Sequence, residues 1–553
     1  MSTLCSKCGT RNPAQATACR RCGSPMQQNS GGLMTRKGSP TTSVMGEHWM
    51  IDGPLFGSRD PYLYSGHHVD THQPVVIKKL SEQASRDRAL RSKFIRESKI
   101  LSQLNHTNLA RVIDVVESAS EPAIILEHIE GESLAELLSR HGRLPAGVAL
   151  EFTAQMIDGM QDLHDQGIVH RQLTPECVFV HMREDQGAPT LVITDFGLAQ
   201  VEEPPGGSSG TLIGMRASDS LSAVEPTPYT PPEVLALEAT PRSDVYSLIA
   251  ILYHMLTGAP PIEGAGPALL GTIARGMTQD PQQTLPWASK ELVELVRACL
   301  ETKPARRPQD ASVLMEMLLK TPEHKREAML YIPMGSFLQG SGDQDSDARK
   351  EERPQREVEL SGYYVDRTAV TSAQYAEFAR LTGHELPQGW HKFNDPIGRP
   401  DFPVVYVNWH DALAYATWAQ KRLLSEAEWE KAARGPSGHI FPWGDTPPTD
   451  EVAWFDEKTR PIEVGQRPRG ASIYNVQDMS GNVFEWVADW YDRSYYRRAP
   501  DCDPPGPKTG KKKVLKGGSF VHPTFALRCA VRGRYAPDER RANHSFRCAW
   551  STD

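Results

Sequence analysis

At 553 residues the chain is too long for one hydrophobic core, and about 150 residues per domain gives three or four units. Its 39% hydrophobic and 24% charged residues are ordinary for a soluble globular protein. A net charge of −8 argues against nucleic acid or an anionic membrane surface as the main partner. No apolar run reaches the roughly 18 residues a membrane span needs, and the N-terminus lacks the apolar core of a signal peptide. The longest apolar-rich piece, Val245 to Leu256, reads as a buried core helix. Of nine cysteines, four fall within the first 22 residues and the other five are scattered, which favours a metal site in a reducing, cytoplasmic compartment over a disulfide framework.

Residues 5–22, "CSKCGTRNPAQATACRRC", hold two C-x2-C knuckles formed by Cys5 with Cys8 and Cys19 with Cys22. Four thiolates at tight turns match tetrahedral zinc with no position left for a catalytic water, so the metal is expected to fold a segment too small for its own core. The pattern resembles the short zinc ribbons at bacterial protein termini and defines a first unit over 1–23. Residues 24–47 are rich in Gly, Ser, Thr and Pro without a period, and read as a flexible linker.

From 48 to 320 a further set of signals follows in order. "PVVIKKL" is a β-branched strand carrying Lys78, and "KFIRESKILSQL" is a helical pattern carrying Glu97. Leu150, Ile157, Met160 and Leu163 recur at helical spacing and lead into "HRQLTPECVFV" from His170. A second short β run then ends at Asp195-Phe196-Gly197, and "TPYTPPEV", "SDVYSLIAILYHML" and Arg307 close the series. Together these motifs resemble a complete protein-kinase domain with its bilobal fold. The resemblance implies that Lys78, Glu97 and Asp195 hold a nucleotide and magnesium, and that Arg307 pairs with Glu233.

The catalytic positions depart from that family. Its catalytic Asp is here Gln172, its loop Asn is Cys177 and its loop Lys is Thr174. An amide has no basic oxygen with which to take a proton from a substrate hydroxyl, and a thiol is a poor magnesium ligand beside an amide oxygen. The family's phosphate-loop glycines are replaced by Phe56, Ser58 and Pro61, with Gly57 alone nearby. The expected outcome is weak Mg-ATP binding at most; the alternative reading of Lys78, Glu97 and Asp195 is an ion-pair brace. The stretch Val201 to Pro226 is Gly/Ser-rich and reads as mobile and exposed.

After a short linker, 321–328, the composition shifts toward Trp and Arg. Thr371 with Gln374 and Ser425 with Glu428 form capping boxes, each predicting a helix start. "YIPMGSFLQG", "TAVTSAQYAEF", "FPWGD", "DMSGNVFEWVADWY", "LKGGSF" and "SFRCAW" follow in order over 329–553, and together they resemble the formylglycine-generating-enzyme, or sulfatase-modifying-factor, domain. That resemblance implies an irregular α+β fold similar to C-type lectins. It also implies a calcium loop at Asp478, Gly481, Val483 and Glu485, against which stands a turn held by side-chain hydrogen bonds alone. No second acidic loop is found between Val452 and Val464.

The family's oxidation needs two cysteines that bind copper. His522 stands at the first of these positions and "PTFAL" supplies no second, so no copper is expected. Cys529 and Cys548 match structural cysteines and read as reduced core thiols. His522, Arg532, Arg534, Tyr535, Arg540, Arg541, Asn543 and His544 instead read as a polar recognition surface for a protein or small polar ligand, and the bland alternative is that the arginines pair internally. The chain is thus expected to be a multidomain α+β protein in which a zinc ribbon, a pseudokinase and a catalytically silent lectin-like binding domain serve signalling. The variable proteins of diversity-generating retroelements share that lectin-like fold. A divergent serine/threonine kinase is the alternative, and a formylglycine-type oxidase a weaker one.

Overall fold

The computed structural model describes residues 2–4, 11–13, 43–46, 48–55, 62–118, 121–182, 189–195, 200–201, 226–236, 238–264, 266–277, 279–387 and 390–551. Its contacts divide into two compact units, Met34–Arg326 and one comprising Glu327–Asp553 with Met1–Leu33. Strands Ser2–Leu4 and Arg11–Pro13 pair antiparallel, but Cys5, Cys8, Cys19 and Cys22, the cysteines expected to bind zinc, lie outside the described residues. So do Phe56, Gly57, Ser58, Pro61, Phe196, Gly197 and residues 202–225. Among the described residues, no helix is long and apolar enough to cross a membrane.

In the first unit an antiparallel sheet of six strands runs in the order Ser43–Met45, Trp49–Pro54, Leu63–His68, Pro74–Lys79, Ala123–Glu127, Val112–Val116. Alternation along Pro74–Lys79 buries Val75 and Ile77 in its core, alongside Ile125, while the helix Arg88–Leu101 carries Glu97 into the interior. Below it, helices Ala146–Asp165 and Pro241–Thr257 pack together. Leu150, Ile157, Met160 and Leu163 are all buried on the first of these helices, as their spacing predicts. The second is buried nearly all round, Val245 to Leu256 forming a core helix rather than a membrane span. Strands Val178–Met182 and Pro189–Ile193 pair antiparallel, and the polar loop from His170 leads into the first of them.

The second unit has few long elements. One sheet orders Met329–Ile332, Tyr363–Asp366, Cys548–Trp550 and Arg422–Leu423; another orders Gly533–Tyr535, Lys513–Lys516, Phe484–Trp490 and His544–Phe546. Helix Ser372–Thr382 starts at Thr371 and helix Glu426–Arg434 at Ser425, each with both hydrogen bonds of its capping box. One core gathers Trp429, Tyr363 and Val487, and a second gathers Tyr375, Tyr415, Trp486 and Phe546. The same unit holds a buried ionic lattice. Arg532 donates to both oxygens of Glu426 at 2.6 and 2.8 Å, and Lys516 and Arg434 both donate to Glu430 at 3.1 and 2.9 Å.

Candidate functional sites

In the first unit the polar loop is held by a residue the sequence reading passed over. Asp244, fully buried at the start of helix Pro241–Thr257, accepts the backbone N–H groups of His170 and Arg171 at 2.8 Å each and faces His164 at 3.1 Å. These bonds hold its carboxyl below the usual range although burial alone would raise it. Arg171 has φ +74° and Asp195 φ +61°, both in the left-handed region that non-glycine residues rarely adopt. The available signal was a lone carboxylate in an otherwise apolar helix, since a buried charge without partners would not be tolerated.

Lys78, 4% exposed, donates to Asp195 Oδ1 at 3.0 Å. Glu97 is buried near Arg171, whose pKa is pushed down to about 10 by burial against the pull of Asp244 and Glu97. Glu233 and Arg307 pair through two bonds of 2.6 and 3.0 Å, as the motif order implied. At the replaced positions the chemistry is different. Cys177 is buried, with its thiol pushed up to about 12 by desolvation, and its sulfur donates to the Thr174 carbonyl at 3.1 Å while accepting the Thr174 N–H at 3.2 Å. A neutral thiol tied into its own turn does not offer magnesium the oxygen that an asparagine would. Gln172 is partly buried at the position of the family's base, where it brings an amide and no carboxylate.

In the second unit Ser519, Asn543 and His522 form a hydrogen-bonded relay. The Asn543 side chain donates to Ser519 Oγ at 2.9 Å, and Ser519 Oγ shares a second hydrogen bond with His522 Nδ1 at 2.8 Å. Burial and the nearby Arg541 lower the pKa of His522, which favours its neutral form. His544 is fully buried against Trp486 and Tyr535, and burial pushes its pKa down to about 3. Neither of its ring nitrogens completes a hydrogen bond, the Glu539 carbonyl standing beside it without the geometry of one.

Of the eight residues proposed as a surface, two are corrected to the interior. Arg532 is 4% exposed and serves Glu426, and His544 is 0% exposed. Arg540 is half committed, with two bonds of 3.0 Å to Asp411. Arg534, against Tyr491, and Arg541, paired with Glu539 and stacked on Tyr535, keep roughly half their side chains in solvent. The surface that remains is Arg534, Tyr535, Arg541, Asn543 and the edge of His522, with Arg540 partly exposed beside Asp411.

The loop Asp478 to Glu485 is held by protein groups. Glu485 accepts Arg547 Nε and Nη2 at 2.7 and 2.8 Å and Trp429 Nε1 at 2.8 Å, all buried. Gly481 donates to Gly517 O at 2.8 Å at φ +83°, where a side chain would strike the Trp454 carbonyl. Asn482 exchanges two bonds with Ile462, and Gly465 N–H donates to Asp478, whose carboxyl burial pushes up to about 6. Of the two carboxylates in the set expected to hold calcium, Glu485 is in an ion pair with Arg547 and Asp478 is in none among the described residues. Cys529 and Cys548 are buried in separate cores, and desolvation raises both thiols, that of Cys529 to about 12. Neither supplies a thiolate near neutral pH.

Comparison with known proteins gives two matches along the chain. A family described as the sulfatase-modifying factor enzyme 1-like domain matches residues 315–552, and the protein kinase domain matches residues 62–322. The formylglycine-generating enzyme of Streptomyces coelicolor is 33% identical over 284 residues, covering 40% of this chain and 88% of that protein. The serine/threonine-protein kinase Pkn1 of Chlamydia trachomatis is 34% identical over 247 residues, covering 41% of this chain and 39% of that protein. Among solved structures, PvdO from Pseudomonas aeruginosa aligns over 40% of this chain and 93% of its own, with 25% identity and a TM-score of 0.35.

Proposed function

Since the chain belongs through residues 315–552 to the sulfatase-modifying factor enzyme 1-like family and carries a protein kinase domain over 62–322, we propose that it is a signalling scaffold rather than an enzyme. In this reading the kinase domain has impaired phosphotransfer and the C-terminal domain binds a protein or a small polar ligand. What supports it is one recurring observation: the reactive positions of both domains hold groups that are neutral and already engaged. Gln172 replaces a carboxylate, Cys177 is a protonated thiol bonded within its own turn, and His522 is a neutral imidazole bonded to Ser519 with no thiolate beside it. General-base catalysis needs a basic group within reach of the substrate proton, and a linear copper site needs soft thiolates.

The test uses the full chain, copper-supplemented, with a cysteine-containing sulfatase peptide. No aldehyde should form. A ligand found by binding screen should lose about tenfold in affinity on Arg541→Ala. Aldehyde formation would refute the proposal, and a ligand indifferent to both Arg541→Ala and Arg534→Ala would remove the assigned surface. We also propose one zinc on Cys5, Cys8, Cys19 and Cys22: protein purified without chelator should carry it, and Cys8→Ser should release it with no change in the melting of the other domains.

A second reading, a divergent serine/threonine kinase, is favoured by the Lys78–Asp195 pair and by the loop backbone that Asp244 holds in place. Phosphoryl transfer depends mainly on positioning and charge. The relative from Chlamydia trachomatis bears the name of such a kinase. Nucleotide titration with and without magnesium, followed by a phosphotransfer assay on wild type and Lys78→Ala, separates the two.

A further inference from the structure

At the end of the N-terminal sheet away from Lys78, where two of its strands meet a turn, histidines gather. Strand Trp49–Pro54 begins beside His48, and strand Leu63–His68 ends opposite, with Trp49 registered against His68. The following turn folds back tightly: His72 N–H donates to His68 O and Val69 N–H to His48 O, at 2.9 and 2.8 Å. This geometry brings one ligand atom each of His48, His68 and Asp70 within 4.8 Å of one another. We propose that His48, His68 and Asp70 bind a divalent transition-metal ion, clasping the start of one strand to the turn that follows the next.

The donor set decides the class of ion. Two imidazoles and one carboxylate suit zinc, cobalt or nickel and are wrong for calcium or magnesium, which take oxygen. His68 is held in one orientation by its neighbours. Its ring stands edge-on to Trp49 at 5.0 Å, and the N–H groups of Asp70 and Thr71 point at its Nδ1 at 3.2 and 3.3 Å. A nitrogen that receives two N–H groups carries a lone pair, and a cation takes that lone pair at the expense of two contacts near the long limit of hydrogen bonding. The His48 ring lies parallel to it, centroids 5.7 Å apart. His67, by contrast, is engaged with Asp52 at 3.0 Å and lies against His72, so it belongs to a neighbouring pair. Both His48 and Asp70 are exposed, so the remaining coordination positions face water.

The experiment adds Co2+ to full-length protein whose N-terminal thiolates are saturated with zinc. One further equivalent should bind with visible ligand-field bands and without sulfur-to-metal charge-transfer absorption, because no thiolate is in the set. His48→Ala and Asp70→Asn should each weaken cobalt binding by at least about tenfold, with His72→Ala as the unaffected control. Binding with charge-transfer absorption, no binding beyond the zinc, or an affinity equal in wild type and His48→Ala would each overturn the site. His48 and Asp70 are exposed, so these variants fold, as circular dichroism would verify.

Discussion

Exchanging Glu485 for glutamine is expected to cost the C-terminal domain about 3–5 kcal/mol of stability, the range for breaking a buried ion pair from one side. Its carboxylate accepts three donors, two from Arg547 and one from Trp429, and both ion-pair partners are essentially without solvent. Glutamine keeps the shape and loses the charge. Arg547 cannot then withdraw to water, because its other N–H groups are fixed on the carbonyls of Asp366, Arg367 and Gln477. Adding Arg547→Met should recover much of the loss, since an apolar pair avoids the desolvation of both charges. Urea denaturation in calcium and in chelator is the measurement, and the loss should be equal in the two. A loss below about 1 kcal/mol, or one confined to calcium-containing buffer, would make the Arg547 pair incidental and Glu485 a metal ligand first.

The second large effect is a gain. Gln172→Asp combined with Cys177→Asn is expected to raise phosphotransfer by about 10²-fold or more, the usual contribution of a positioned general base. The loop around these residues is already held by Asp244, and Lys78 and Asp195 already face each other, so the substitutions supply chemistry to a prepared backbone. They leave Phe56, Ser58 and Pro61 in the phosphate loop, which limits the gain in nucleotide affinity rather than in the chemical step. Rates are compared for wild type, the double variant and the double variant with Lys78→Ala. A wild-type rate equal to that of the double variant and abolished by Lys78→Ala would establish a different base and favour the divergent kinase.

What the sequence made legible was local or periodic. The helix starts at Thr371 and Ser425 follow from spacings of three residues, and the buried face of Ala146–Asp165 from apolar residues at helical intervals. The Glu233–Arg307 pair, 74 residues apart, was legible through motif order alone. By contrast, Glu485 and Arg547 are 62 residues apart, and Glu426 and Arg532 are 106 apart, with no motif to join them. Arg532 therefore looked like surface in a stretch rich in Arg, although the fold places it against a buried acid. The grouping of His48 with Asp70 was hidden for the same reason, since it depends on the register of two strands.

Lys513 gives the C-terminal domain an optical property. Its ammonium lies 3.8 Å from the centre of the Trp409 ring and 4.0 Å from that of Trp490, while donating to the Ala488 carbonyl. Burial pushes its pKa down to about 8, against the pull of Asp489, so the charge between the two indoles switches within a mildly alkaline range. Charge beside an indole shifts its emission. Because all tryptophans except Trp49 and Trp287 belong to the C-terminal domain, native fluorescence reports mainly on that half of the chain. Its pH dependence near 8 would follow one ammonium group without any label.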